Sequence, residues 1–527
     1  MGGSESPPAL FVPKPGQRGS YMALSYCWGS LPPDRFLKTT LGNMDQHQME
    51  LPPLPPTLEQ AIDVTRRLGC RYLWVDALCI VQDWDEDRNR EIANMGEVYR
   101  NAIMTIAAAN GVDVYAGLYV DRHPLSYGPL ALTIQVTMDG ESRDLKAIVF
   151  QEQSSELLLR RRLWVLQEEI LSPRTLLFGP DGLRWECSEI GLEQGDPIGE
   201  RPEESGGTKM KAWISKCSRI GHGEFPSEDW YTLICHYSMR IGTDVADQLP
   251  AIAGVVKVMS GFHNWQYLAG LWREDLVYGL GWYKDVLADR HPRSTEDTNA
   301  EGFSYIAPSW SWASRPNGSI GYEKRHHFNL QRELVTYIEA RCGPKSTNDG
   351  PFGRVAPGSF LRLKGRLKAA RARPITNEYV YNSARYSEVW DYRICGSWAS
   401  EVVDPTSGKI VGFIFLDNQP DKTKTFEIWC LPILELNRTA RCPYYALCLG
   451  LVKNGESGEG FRRVGLVGLM ERLAHYHPQY FYADAKLRDE SDLSESERVE
   501  YSEAAAEVQI WHRSAWDNVP QSHVTIV

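Results

Sequence analysis

The segment Arg71-Tyr-Leu-Trp-Val-Asp-Ala-Leu-Cys-Ile-Val-Gln82 constrains the fold more than any other part of the chain. An apolar run that ends in a carboxylate, with Cys79 and Gln82 close behind, has the form of a buried strand delivering polar groups to the rim of a sheet. Open α/β sheets bind their ligands beyond the carboxyl ends of parallel strands. Two further segments follow the same logic, Tyr21-Met-Ala-Leu-Ser-Tyr-Cys-Trp-Gly29 and Arg162-Leu-Trp-Val-Leu-Gln-Glu168. If the first two are neighbouring parallel strands, Ser25, Cys27, Trp28, Asp76, Cys79 and Gln82 converge on one edge. The third then adds Arg162, Trp164 and Glu168 from a helix.

The intervening sequence supports such a sheet. Thr57-x-x-Gln60 fits a capping box, and Leu58, Ala61, Ile62, Thr65 and Leu68 keep helical spacing until Gly69 supplies the stop. Strands are expected over 71–76 and 102–108, with a helix over 86–99 between them. The acidic residues between Gln82 and Glu91 read as that helix's N-terminus, where carboxylates meet free amides; divalent-metal binding is the alternative. Leu130, Leu132, Ile134, Val136 and Met138 alternate up to Asp139-Gly140, which predicts a hairpin returning over 146–150. A helix over 157–171 carries the third motif, and strands follow at 175–178 and 183–187. This order predicts a mostly parallel sheet with right-handed crossovers.

With 527 residues the chain is too long for one core. Residues 1–20 read as a loose N-terminus, 21–195 as the α/β domain, 213–300 as a helical, aromatic-rich region, and 301–527 as a β-rich region with an acidic insertion at 484–508. Strands are expected there at 360–367, 409–415, 444–452 and 460–469, with 523–527 returning as an edge strand. A net charge of -11 without a basic block argues against a nucleic-acid partner. No apolar run reaches the roughly 18 residues of a membrane span, and no secretory signal opens the chain. The expected setting is therefore cytoplasmic. The eleven cysteines include no CxxC pair, so neither a zinc ribbon nor a disulfide framework is predicted. His326-His327 and His475-x-His477 lack partners at ligand spacing, so no metal is expected. Phosphate-loop, dinucleotide and hydrolase-elbow motifs are absent.

The ordered motifs Tyr21-x-Ala-Leu-Ser-Tyr-x-Trp-Gly29, Tyr72-Leu-Trp-Val-Asp-x-Leu-Cys-Ile-x-Gln82, Met95-x-x-Val-Tyr99 and Arg162-Leu-Trp-Val-Leu-Gln-Glu168 resemble the heterokaryon incompatibility (HET) domain of filamentous fungi. The resemblance spans residues 21–187. Downstream, Asp247-Gln-Leu-Pro-Ala-Ile-Ala-Gly254, Ala269-Gly-Leu-Trp-Arg273 and Ala307-Pro-Ser-Trp-Ser-Trp-Ala-Ser314 look like regions that follow that domain in the family. Family members often carry a further apolar strand before the first motif, so a truncated start is expected. The resemblance implies nonself recognition leading to regulated cell death, with protein partners of unknown identity and self-association among its modes. A remoter similarity, to TIR domains, implies a flavodoxin-like fold. In some TIR lineages a Trp-x-x-x-Glu helix hydrolyses NAD, and Trp164-Val-Leu-Gln-Glu168 has that spacing.

Residue chemistry leaves several readings open. A fixed carboxylate at Glu168 suits an oxocarbenium-like state in glycosidic cleavage, with NAD as substrate and no cofactor required. The structural alternative pairs Glu168 or Glu169 with Arg160, Arg161 or Arg162 and places Trp164 in the core. Asp76 either binds ribose hydroxyls or caps the turn that follows it. Cys27 and Cys79 read as buried thiols rather than nucleophiles, for want of a nearby base. Trp310 and Trp312 join packed segments or form a ligand platform. Three functions follow: a HET-domain effector or signalling protein, an NAD glycohydrolase using Glu168, and a non-catalytic interaction scaffold.

Overall fold

The computed structural model describes residues 7–30, 32, 36–121, 130–138, 141–149, 157–180, 182–194, 196–200, 206–217, 227–262, 265–285, 305–315, 318–322, 329–346, 350–375, 399–418, 423–437, 444–455, 460–470, 511 and 514–527. The chain forms two compact units. The first comprises Met1–Gly223 and Pro250–His263, the second Glu224–Leu249 and Asn264–Val527.

The first unit is built on a seven-stranded sheet. Its strands are β1 (Tyr21–Ser25), β2 (Tyr72–Trp74), β3 (Thr105–Ala108), β4 (Arg174–Gly179), β5 (Gly182–Cys187), β6 (Gly191–Glu193) and β7 (Asp196–Glu200). The order is β2-β1-β3-β4-β5-β6-β7. The first four strands are parallel, in the register Ala23↔Trp74, Ser25↔Ala107 and Ala108↔Phe178. The last three run antiparallel. The hairpin Leu130–Met138 with Glu141–Val149 stands apart as a two-stranded ribbon; its turn residues, Asp139 and Gly140, lie outside the described residues.

Strand alternation decides which side chains meet. Met22 and Leu24 face one way, into a cluster with Leu58, Ala61 and Val64 of helix α1 (Pro56–Arg67) and with Ile106 and Phe178. Ala23 faces the other way, toward Met95 and Tyr99 of helix α2 (Asp85–Asn101) and toward Trp164. Ser25 shares that second face. Helix α3 (Val165–Leu171) crosses there, and helix α4 (Ala253–Phe262) packs beside α2 and α3. Asp85, Glu86 and Asp87 occupy the first turn of α2, where their carboxylates complement the free amides.

Three local expectations are corrected. The capping box does not form. Helix α1 begins at Pro56, whose missing amide proton is tolerated at a first helical position, so Thr57 lies inside the helix. The Thr57 hydroxyl instead accepts from the Gly117 amide at 3.0 Å, and Gln60 accepts from Leu118 at 2.6 Å. The helix expected over 157–171 is two pieces, a 3-10 turn Leu158–Arg161 and α3, because the backbone is extended at Arg162. The last strand, Gln521–Ile526, is not an edge: it pairs along Phe360–Arg366 and bridges Phe461 on its other side.

In the second unit, Lys368–Arg373, Ala399–Val403, Ile410–Leu416, Phe461–Met470, Tyr444–Lys453 and Phe426–Asn437 pair in that order, and the last pairs back to the first. The six strands therefore close into an antiparallel barrel, which removes their edges. Its buried cluster includes Ala370, Val402, Ile414, Ile428, Cys448 and Val467, joined by Trp511 and Trp516. Trp310 and Trp312 are fully buried, and the Trp312 indole donates to the Gly270 carbonyl at 2.8 Å. Burial rules out a ligand platform and makes both residues core, tying the Ala269-Gly-Leu-Trp and Pro308-Ser-Trp-Ser-Trp segments together. The acidic insertion at 484–508, His326-His327 and His475-x-His477 lie outside the described residues. No described helix is long and apolar enough to cross a membrane.

Candidate functional site

Glu168 is 5% exposed, and its carboxylate accepts from the Ser25 hydroxyl at 2.5 Å. Ser25 is the last residue of β1, so the contact sits at the carboxyl rim of the parallel strands. Burial pushes the Glu168 carboxyl up to about 7. Arg162 and the Ser25 and Tyr99 hydroxyls oppose that rise, while Asp76 adds to it. Tyr99 reaches the rim from α2 and donates to the Leu24 carbonyl at 3.0 Å.

A second carboxylate stands nearby. Asp76 opens a short helical turn, Asp76–Cys79, directly after β2. It accepts from the Trp28 indole at 2.8 Å and from the Ala77 amide at 2.7 Å. Burial raises its pKa, against the pull of Arg162 and these two donors. Of the two readings of Asp76, the turn cap is seen: one oxygen caps the turn while the other meets Trp28. The Tyr26 hydroxyl sits beside Asp76, buried and without a well-formed hydrogen bond. Arg162 donates to the Tyr26 carbonyl, and its charge acts on Asp76, Glu168 and Cys27 together. Trp28 also stacks on Phe36, with ring centroids 4.5 Å apart. The backbone after Trp28 depends on Gly29, whose φ is +85° and where a Cβ would lie 2.3 Å from that of Asp113.

The remaining candidates make packing and backbone contacts. Trp164 precedes α3 as its N-cap and packs in the apolar cluster of Ala23, Met95 and Tyr99. The Cys27 side chain lies among Ala107, Leu159, Val165 and Leu177, and burial pushes its thiol up. Cys79 accepts from the Val75 amide at 3.4 Å, and its thiol is pushed up to about 11 by burial. Thiols so disfavoured as thiolates are poor nucleophiles. The Gln82 side chain donates to the Asp76 and Ile80 carbonyls at 3.1 and 3.2 Å, bracing the turn that carries Asp76.

Sequence reasoning missed a buried charged group behind the site. Arg160 bridges Glu169 at 2.5 Å and Glu186 at 2.7 Å. The expected pairing of Glu168 or Glu169 with one of Arg160, Arg161 and Arg162 is met by Glu169 and Arg160. Lys211 is 3% exposed and donates to the Ser172 carbonyl at 2.8 Å, the Thr175 hydroxyl at 3.0 Å and the Glu169 carbonyl. Burial pushes its pKa down to about 8. Gln167, also buried, accepts from the Gly254 amide at 3.2 Å. The motifs themselves were the available signal for Tyr26, Tyr99 and Gln167, since each lies inside one. A small cavity, with room on the order of one water molecule, is lined by Ser25, Thr105, Arg160, Glu168, Glu169 and Thr175 among others; Asp76 does not line it.

Three motifs far apart in the chain thus meet at one sheet rim, and the family model for the heterokaryon incompatibility protein (HET) matches residues 21–168, which span all three. The chain carries a HET domain. No curated protein and no solved structure gives a significant match to it. The HET match ends at Glu168 itself. Part of what holds the neighbouring residues of α3, including Lys211 and Gly254, therefore lies beyond the matched segment. The HET domain indicates a role in heterokaryon incompatibility. Among the described residues no group of His, Cys, Asp and Glu is arranged to hold a metal ion.

Proposed function

We propose that this chain is a cytoplasmic effector or signalling module of fungal heterokaryon incompatibility, turning nonself recognition into regulated cell death, and that its output depends on Glu168. One observation carries this reading. A carboxyl group is buried at the carboxyl rim of a parallel sheet, against Ser25, with its pKa near 7. Burying such a group costs stability, and groups so perturbed concentrate at functional sites. The test is expression of the full chain in a filamentous fungus. Wild-type protein should arrest growth, and Glu168→Gln at matched abundance should restore it. Healthy growth with abundant wild-type protein would remove the effector reading.

A second reading has its own support. The parallel strands run in the order 2-1-3-4, the start of the flavodoxin-like order, in which ligands sit where the strand order reverses beside β1. Glu168 meets β1 there. A carboxylate at that point could stabilise the positive charge that develops when nicotinamide leaves ribose. Under this TIR-like reading NAD is a substrate and no cofactor is needed. The rim must open to admit it, because the cavity beside Glu168 is water-sized. Purified full-length protein should release nicotinamide from NAD, and Glu168→Gln should lower the rate by about a hundredfold or more. Undiminished release by that variant would take Glu168 out of the chemistry. A scaffold acting through an unidentified protein partner or through self-association predicts instead that growth arrest survives Glu168→Gln. Light scattering on the wild-type chain measures the self-association.

A further inference from the structure

The helix that carries Glu168 is gripped by another from far along the chain. After Gly223 the chain leaves the first compact unit, returns for Pro250–His263, and leaves again. The returning stretch is α4, an apolar helix whose Val255, Val256 and Met259 are buried. It approaches α2 and α3 more closely than side chains normally allow. A Cβ built on Gly96 of α2 would lie 2.7 Å from the Gly254 Cα, and one built on Gly254 would lie 2.8 Å from the Gly96 Cα and 2.6 Å from the Gln167 Oε1. Glycine is needed at both positions because the two backbones touch.

This contact is joined to the candidate site by adjacent residues. Gln167 Oε1 accepts the Gly254 amide at 3.2 Å, and the next residue is Glu168, which takes the Ser25 hydroxyl at 2.5 Å. Neighbouring positions on α3 thus point one side chain at α4 and the other at β1. At the edge of the helix pair, Lys257 meets Glu97 at 3.3 Å. That exposed ion pair adds little to the grip.

We propose that α4 is a latch on the helix that carries Glu168. Seated through the Gly96–Gly254 contact and the Gln167 hydrogen bond, it holds Glu168 on Ser25. Unseated, it frees α3 and with it the carboxylate. Both ends of α4 continue directly into the second unit, so a partner that strains that unit has a covalent route to the site. Interfaces packed this tightly respond by switching rather than by bending smoothly. The latch itself stands on packing alone; its effect on output rests on the reading of Glu168 given above.

The test is hydrogen exchange on the full-length chain. Gly254→Leu should speed exchange of the Val165–Leu171 amides by at least about tenfold while the barrel amides stay protected. Lys257→Gln should leave both unchanged. Wild-type protection of Val165–Leu171 in Gly254→Leu, with the α4 amides exchanging freely, would overturn the latch. If Gly254→Leu does not accumulate, Gln167→Met decides, since it keeps the volume and removes the hydrogen bond. Faster exchange confined to α3 and α4 supports the latch, and wild-type exchange overturns it. Growth arrest read on the same variants separates the two claims. Faster exchange with growth arrest intact keeps the latch and removes Glu168 from the output.

Discussion

Two buried charges, one in each unit, show opposite ways of placing an ionisable group inside a protein. In the barrel unit the Arg463 side chain is fully buried and bonds Asp417 through Nε at 3.2 Å. It also donates to the Leu280 carbonyl at 2.6 Å and to the Trp282 carbonyl, and it lies 3.5 Å over the Trp282 ring. Charge meets charge, and the guanidinium edges are occupied. In the HET domain Glu168 is buried too, but what it meets is neutral, the Ser25 hydroxyl at 2.5 Å and the Tyr99 hydroxyl. Arg162 helps only through its field, and burial leaves the carboxyl at about 7. The first arrangement is closed and holds the fold. The second is held off balance near neutral pH, the condition under which a carboxyl exchanges protons readily.

The largest expected effect tests the closed half of this contrast. Arg463→Met strands the Asp417 carboxylate in the core, which costs about 3–5 kcal/mol. Urea unfolding of the full chain, followed by barrel tryptophan fluorescence, should show that loss. Pairing it with Asp417→Leu should recover the part due to the lone carboxylate, while the Leu280 and Trp282 carbonyls still lack their donor. A single variant that unfolds like wild type would mean that the pair is no more settled than Glu168.

The open half makes a prediction about pH. The folded Glu168 carboxyl titrates at about 7, above the 4.5 of its free form. Below pH 4.5 it is protonated folded or unfolded and contributes no pH dependence. Between 4.5 and 7 the unfolded chain releases the proton while the folded one keeps it, so stability falls as pH rises. The full penalty, on the order of 3 kcal/mol, is present above pH 7. Glu168→Gln should flatten this decline in the HET domain's unfolding curve and leave the barrel's transition unmoved. A wild-type domain whose stability does not fall between pH 4.5 and 7 would show that Glu168 is no more perturbed than a surface carboxylate.

The contrast also explains which parts were legible in the sequence. Apolar runs with polar ends, set between helical stretches, pointed to the parallel sheet, because a strand covered on both faces is apolar throughout and a rim must be polar. The same rules put Ser25, Asp76 and Glu168 at one rim. They left open which of Glu168 and Glu169 pairs with an arginine, since both follow the same apolar run; the fold gives Arg160 to Glu169 and turns Glu168 to Ser25. The capping box misled because the helix starts at Pro56, two residues early, which freed Thr57 and Gln60 for the 117–119 segment. The barrel escaped because closure is a pairing between Lys368–Arg373 and Phe426–Asn437, and no local pattern announces a partner that distant. Lys211 and Gly254 act on α3 from beyond the recognisable motifs, through contacts that only the folded chain creates.

The smallest effect sharpens the comparison most finely. Ser25→Ala removes the hydroxyl that donates to Glu168 and leaves the buried carboxyl with Tyr99 and the distant Arg162. The Ser25 hydrogen bond favours the ionised form, so its loss must move the Glu168 titration upward. At pH 5, with the carboxyl protonated, the variant loses an ordinary hydrogen bond worth about 1 kcal/mol. At pH 8 it loses a bond to a charge, worth about 2 kcal/mol. The cost of Ser25→Ala should therefore grow with pH, and the upper end of the stability decline should shift to higher pH. In the barrel unit the corresponding deletion, Ser309→Ala beside the Arg463 amide, should cost the same at both pH values. A pH-independent cost at Ser25 would mean that the hydroxyl holds the strand end and not the proton on Glu168.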